Sequence, residues 1–177
     1  MSAFFAAPHT KSKELALVLG GIILMSLLSQ VSIPLKPVPV NLQTVGVLLI
    51  GLTYTPRTAL YSQLGFLAMG AAGLPVFSNF SGGAHILVGP TAGYLISFPV
   101  AAIIMATLRA RHNLQSKWAF LALACLGQTI VFFLGVGWLA HLLGLHKALM
   151  LGFLPFILPG VGKTVMTAAL VSYFTKK

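Results

Sequence analysis

GLPVFSNFSGGAHILVGPTAGY, residues 73–94, is polar, aromatic and punctuated by glycine and proline, and it lies between runs apolar enough to cross a bilayer. A stretch of this kind inside such a chain must sit at a water interface or line a cavity, because irregular backbone facing lipid leaves its N–H and C=O groups without partners. The rest of the chain reads as the scaffold that holds it. Of 177 residues, 58% are hydrophobic and only 7% charged, too few charges to clothe a water-soluble globule. The composition therefore predicts an all-α integral membrane protein.

Working outward, residues 14–33 are long enough for a first span, about 20 residues being needed. Residues 31–44 follow, where Pro34, Pro37 and Pro39 remove donors and disfavour helix, so an extended or polyproline-like segment is predicted. Residues 42–53 and 58–72 are two shorter apolar runs around the break at 54–57, each short for an upright crossing. Beyond the central stretch, residues 95–108 form a fourth span with Pro99 inside it, where a kink is expected. Residues 109–117 are a basic connector. Residues 118–140 form a fifth span bracketed by Trp118 and Trp138, read as interfacial anchors. Residues 141–152 suit a short interfacial helix, and 153–174 a sixth span entered at Pro155 and Pro159. The expectation is one domain, residues 1–177: six transmembrane helices in a single bundle with extended outer-side loops.

Eleven Lys and Arg face a single acid, Glu14, for a formal charge of +10. These cations sit at the ends of apolar runs rather than on an aromatic-interleaved patch, which argues against nucleic acid as a partner. Six crossings place Lys11, Lys13, Arg57, Arg109, Arg111, Lys117, Lys176 and Lys177 on one side, eight of the eleven. The positive-inside bias makes that side, with both termini, cytoplasmic, and gathers the proline loop, the central loop and the start of the last helix on the outer side. No small-residue cleavage site follows the first apolar run, so no cleavable signal is expected. Cys125, the lone cysteine, excludes an intrachain disulfide and is read as a small buried side chain.

GVGKT, residues 160–164, imitates the end of a phosphate-binding loop, but that motif needs a glycine at position 157, where Ile157 stands. Nucleotide hydrolysis also needs a carboxylate for magnesium, and the chain offers only Glu14. The same poverty of acids argues against paired-carboxylate catalysis and carboxylate-based ion coupling. His9, His85, His112, His141 and His146 show no metal-ligand spacing, and no cofactor is expected. Four are read as interfacial; His85 is the one placed to line the cavity.

Lys163 stands apart. An ammonium about two turns inside an apolar segment is costly unless it meets water, a partner or a ligand, which makes it a functional candidate. Around it the sequence gathers Phe77, Phe80 and Tyr94 as apolar walls, with Asn41, Gln43, Thr44, Asn79, Ser81 and Thr91 as orienting polar groups. Gly82, Gly83, Gly89 and Gly93 permit tight loop geometry. Ala16 and Gly20, four apart on the first helix, let another helix approach closely, whether from this chain or a partner.

Three segments together resemble the BioY family of biotin-specific substrate-binding components of energy-coupling-factor transporters: SIPLKPVPVNLQT (32–44), GLPVFSNFSGG (73–83) with LVGPTAGYLISFP (87–99), and PFILPGVGK (155–163). Two positions depart from the family pattern. Ala92-Gly93 stands for a glycine pair, and Gly160 stands where the family has Asp. The resemblance implies a six-helix bundle in the cell membrane of a prokaryote, binding biotin at the outer face under a proline-rich lid. The implied site residues are Gln43, Thr44, Phe77, Asn79, Gly82, Gly83, Thr91, Tyr94 and Lys163. It implies a transmembrane coupling protein and two ATPases on other chains, docked through the Ala16 and Gly20 face; membrane lipid surrounds the bundle, and association into a homo-oligomer is left open. An integral-membrane enzyme or a channel handling another small amphipathic molecule is the alternative, and each would need groups not found here: a titratable set or metal, or rings of charge.

Overall fold

The computed structural model describes residues 11–175. His9, Lys176 and Lys177 lie outside them. Helix α1, Lys11–Gln30, leads into a hairpin of β1, Ser32–Ile33, and β2, Val40–Asn41. Helices α2, Gln43–Thr53, and α3, Pro56–Ala71, precede the central loop, which contains single helical turns at Ser78–Phe80 and Ala84–Val88. Then come α4, Ala92–Arg111, α5, Lys117–Leu143, the short α6, Leu145–Ala148, and α7, Leu154–Thr175. The result is an all-α bundle of six rods, α6 being the leading turn of the last.

Local sequence sets the helix ends. Thr55 caps α3 by accepting from the Thr58 N–H at 3.3 Å, with Pro56 at the first helical position. Ser116 caps α5 by accepting from the Ala119 N–H at 3.1 Å. Gly144, at φ 84°, ends α5 in a conformation that lets the chain turn back. Four rods are long and apolar enough to cross a membrane, Lys11–Gln30, Ala92–Arg111, Lys117–Leu143 and Leu145–Thr175. Helix α2, with 11 residues, is only about 16 Å long against a hydrocarbon core of about 30 Å. The corner between α2 and α3 is accordingly sunk into the bundle, with Tyr54 beside Gly21, half-way along α1. A side chain at Gly21 would start 2.6 Å from Ser62 Oγ, so its absence lets α1 and α3 touch.

Three expectations need correction. The proline segment is extended at both ends, as expected, but it is not a polyproline-like run: it pairs with itself, Ser32 opposite Asn41 and Ile33 opposite Val40. The prolines occupy the turn and leave every paired position with its N–H, which is why the ladder survives them. The last rod does not begin at Phe153 either: it starts at Leu145 and widens through a π-helical turn at Leu149–Phe153. Such local widening accommodates Pro155 just beyond it, and Pro159 lies inside α7. Finally, Cys125 is exposed on the bundle surface rather than buried. In a bilayer the outward face is as apolar as the core, so hydrophobic surroundings in sequence do not report burial.

The core has two parts. At the loop end, Phe66, Phe77, Tyr94, Phe98, Val131, Leu139 and Phe156 pack with Val38 and Val40 of the hairpin. At the opposite, connector end, Leu48, Leu52, Met105, Phe120, Leu123, Ala168 and Val171 close together. Glu14 meets Arg57 at 3.8 Å toward that end, and Arg109 Nη2 donates to the Tyr54 carbonyl at 3.2 Å. The start of α1, the α2–α3 corner and the end of α4 thus share one side, as the charge reading required.

Candidate ligand-binding site

The central loop is tied down on every flank. Gln30, the last residue of α1, donates to the Phe77 carbonyl at 3.1 Å and accepts from the Phe80 N–H at 2.9 Å, while Ser29 Oγ donates to the Val76 carbonyl. The Gly83 N–H donates to Gly70 O of α3 at 2.7 Å. Trp138 donates its indole N–H to Gly89 O at 2.9 Å, so it tethers the loop rather than serving only as an interfacial anchor. From the hairpin, Asn41 Nδ2 donates to Ser78 Oγ at 2.6 Å and Ser32 Oγ to Asn79 Oδ1 at 3.0 Å. Hairpin and loop therefore form one roof.

Under this roof lies a cavity of about 320 Å³, near the small end of the range for small-molecule sites, about 300 to 1,000 Å³. Val38, Pro39 and Asn41 of the hairpin, Gln43 and Thr44 of α2, and Phe77, Ser78, Asn79, Ser81, His85 and Ile86 of the loop line it. Thr91 and, from α4, Tyr94, Leu95 and Phe98 form one wall; Gln128, Val131 and Phe132 of α5 and Phe156, Gly160 and Lys163 of α7 form the other. Tyr94 is fixed by its hydroxyl, which donates to Gly152 O at 2.7 Å, and its ring stacks on Phe156 with centroids 6.0 Å apart.

Of the residues singled out from sequence, Gln43, Thr44, Phe77, Asn79, Thr91, Tyr94 and Lys163 are placed around the cavity, together with Asn41, Ser81 and His85. Gly82 and Gly83 are not among its lining. They shape the loop: a side chain at Gly82 would collide with the carbonyls of Gly73 and Leu74, and Gly83 has φ 114°. Phe80 is not a wall of the site either; it is 72% exposed, turned outward by a left-handed backbone at φ 53° that directly follows Asn79 at φ 59°. Ala16 and Gly20 lie on the exposed face of α1. GVGKT falls in the middle of α7 with Thr164 Oγ1 bonded back to Gly160 O at 2.8 Å, so it forms no phosphate loop.

Sequence reading missed Phe98, Phe132, Phe156 and Gln128. The aromatics are indistinguishable by type from lipid-facing ones. Gln128 did carry a signal, being a lone primary amide in the middle of a 27-residue apolar helix.

The electrostatics are simple. Lys163 is the cation in the wall, and its Nζ donates to the Asn41 backbone carbonyl at 2.5 Å, linking α7 to the roof. The only acid in the chain, Glu14, pairs with Arg57 toward the connector end. Three buried polar atoms in the lining lack a protein partner: Gln43 Nε2, Thr44 Oγ1 and Gln128 Oε1. Buried polar groups are nearly always hydrogen-bonded, so these three atoms are available to the polar groups of an occupant. Among the described residues no cluster of His, Cys, Asp or Glu could hold a metal. The arrangement suits capture of a small molecule with an apolar body, a carbonyl and N–H groups at its polar part, and room for a negative charge.

A family model described as the BioY family matches residues 4–177. A probable biotin transporter of Pyrococcus horikoshii is 38% identical over 162 residues, 92% of this chain and 95% of the relative. A biotin transporter of Thermotoga maritima is 38% identical over 148 residues, 83% of this chain and 86% of the relative. Among solved structures, the S-component for biotin from an ECF-type ABC transporter superposes with a TM-score of 0.86 at 26% identity, covering 97% of this chain and 95% of that one.

Proposed function

The chain belongs to the BioY family, and on that premise we propose that it captures biotin in the roofed cavity and presents it for import powered by other subunits. The observation that carries this is the cavity itself: aromatic walls, three unpartnered polar atoms and one ammonium beneath a roof of two interlocked loops. Biotin has matching parts, an apolar bicycle and chain, a cyclic urea with N–H donors and a carbonyl, and one carboxylate. The family is one of transport components of multi-pass membrane proteins rather than of enzymes.

The site consists of Gln43, Thr44, Phe77, Asn79, Thr91, Tyr94 and Lys163, with Gly82 and Gly83 setting the loop that carries Asn79. The loop end faces outward and both termini face the cytoplasm of a prokaryotic cell, in line with the grouping of cations at the connector end. Energy comes from a transmembrane coupling protein and ATPases on other chains, with α1 docking through its exposed Ala16 and Gly20. The decisive measurement is binding of labelled biotin to detergent-solubilised protein: saturable binding displaced by unlabelled biotin is expected, and its absence overturns the reading. For orientation, Asn79→Cys should react with an impermeant thiol reagent on intact cells and Ser116→Cys should not; equal reaction of both sinks the assignment.

A further inference from the structure

The cavity contains an amide whose role is unassigned, and its surroundings define that role. Gln128 sits half-way along α5, is only 8% exposed, lines the cavity, and leaves its Oε1 without a partner. A buried primary amide in a membrane helix is maintained against a desolvation cost that an occupied site recovers and an empty one does not. The facing residue of α7 is Gly160. A Cβ there would begin 3.1 Å from Phe132 Cζ and 3.4 Å from Gln128 Nε2, so the glycine lets α7 lie close against the Phe132 ring with the Gln128 amide beside it.

Charge narrows the role further. With Glu14 committed to Arg57 at the other end, no carboxylate reaches this cavity, so the N–H groups of a ligand must be met by neutral acceptors. Gln43 of α2, in the same lining, presents the converse. Its Oε1 accepts from Asn41 Nδ2 at 2.6 Å and its backbone N–H donates to Asn41 Oδ1 at 3.0 Å, which fixes the amide with Nε2, a donor, free. The lining thus presents a pinned donor from α2 and an open acceptor from α5.

We propose that Gln128 is a specificity-determining residue that accepts a hydrogen bond from a ring N–H of a neutral cyclic urea, while Gln43 Nε2 donates to the urea carbonyl. This rests on the biotin reading and deepens it: the site recognises the urea as an uncharged donor and acceptor, by amides from two different helices. Lys163 is left to the remainder of the ligand.

The test compares biotin with 2-iminobiotin, in which a basic guanidine replaces the urea, on the detergent-solubilised full chain. Gln128→Leu keeps the bulk and removes the acceptor, and should weaken biotin binding about tenfold to a hundredfold. Gln128→Glu places an anion at the same point and should shift the ratio of affinities toward the guanidinium compound by at least tenfold relative to the parent. A residue that only supports the helix packing would lower both affinities together, so an unchanged ratio in Gln128→Glu overturns the proposal. So does a Gln128→Leu protein that binds biotin as tightly as the parent. A parent that binds neither compound breaks the biotin reading itself, and this inference with it; a parent that binds biotin with both variants unchanged breaks the inference alone.

Discussion

At the connector end of the bundle, buried and half-buried hydroxyls turn back on their own helices: Thr53 Oγ1 donates to Leu49 O at 2.6 Å, Thr167 to Lys163 O at 2.7 Å and Thr175 to Val171 O at 2.6 Å. Around them Leu48, Leu52, Met105, Phe120 and Val171 pack side by side. At the loop end several polar side chains instead reach between elements, Gln30 to the loop, Asn41 to Ser78 and Lys163 to Asn41, and three side-chain atoms in the cavity lining reach nothing. The difference separates polarity that a helix absorbs locally from polarity held open by neighbouring structure. Only the second kind can be exchanged for a ligand.

This contrast can be broken most forcefully at the connector end. Met105→Ala should cost about 2 kcal/mol of stability, the lower end of the usual range for such truncations, because lipid rather than water surrounds the separated helices. Biotin affinity of the folded fraction should stay within about twofold. Melting in detergent, with and without biotin, measures both quantities, and an affinity loss exceeding the stability loss would erase the distinction between the two ends.

Lys163→Met, which keeps length and removes charge, should weaken biotin binding about tenfold to a hundredfold, the worth of a charge-assisted contact of about 1.5 to 3 kcal/mol. Biotin esterified at its carboxylate sharpens the assignment. If the ester binds parent and variant alike, the ammonium meets the carboxylate; if the variant loses both ligands equally, it meets a ring oxygen. A methionine variant that binds biotin as tightly as the parent removes Lys163 from the site.

Smaller effects follow away from direct contact. Asn41→Ala removes the link between hairpin and loop and frees the Gln43 amide to rotate, so biotin should dissociate roughly threefold to tenfold faster. An unchanged off-rate would show the roof to be held by its backbone pairing alone. Gln63 of α3 is also buried with both amide atoms unpartnered, yet it is not part of the lining of the proposed site. Gln63→Leu should therefore leave binding unchanged and stability equal or raised by about 1 kcal/mol, since an apolar isostere removes an unmet demand; loss of biotin binding would make it part of the site. Smallest for the isolated protein is Gly20→Leu, which should leave equilibrium binding unaltered while reducing uptake in cells that supply the coupling subunits. Undiminished uptake would free that face of any docking role.

Much of this was written in the sequence, for identifiable reasons. Long apolar helices, the basic connector and the polar loop at 73–94 declare themselves because a bilayer imposes length and charge rules on the chain directly. Lys163 was legible because an intramembrane cation has so few innocent explanations. Cys125, Phe80 and the three missed aromatics were not legible, since lipid and protein interior present the same apolar surroundings and only the third dimension tells them apart. The hairpin escaped because proline content reports which positions cannot pair, and here those positions were in the turn. Gln128 was overlooked although it obeys the logic that exposed Lys163: a neutral amide in the hydrocarbon is a weaker anomaly than a charge, but an anomaly of the same sort.

The bond from Lys163 to the Asn41 carbonyl already engages the ammonium that the proposed ligand would call on. If Lys163 meets the ligand as proposed, filling the site is a substitution at one ammonium, in which the gain from the incoming group is reckoned against the contact it displaces. Compounds that fill the cavity but leave this contact in place forgo the electrostatic gain and also avoid its displacement cost. They should keep the roof fastened, which makes such molecules candidates for antagonists that occupy the binder and resist release.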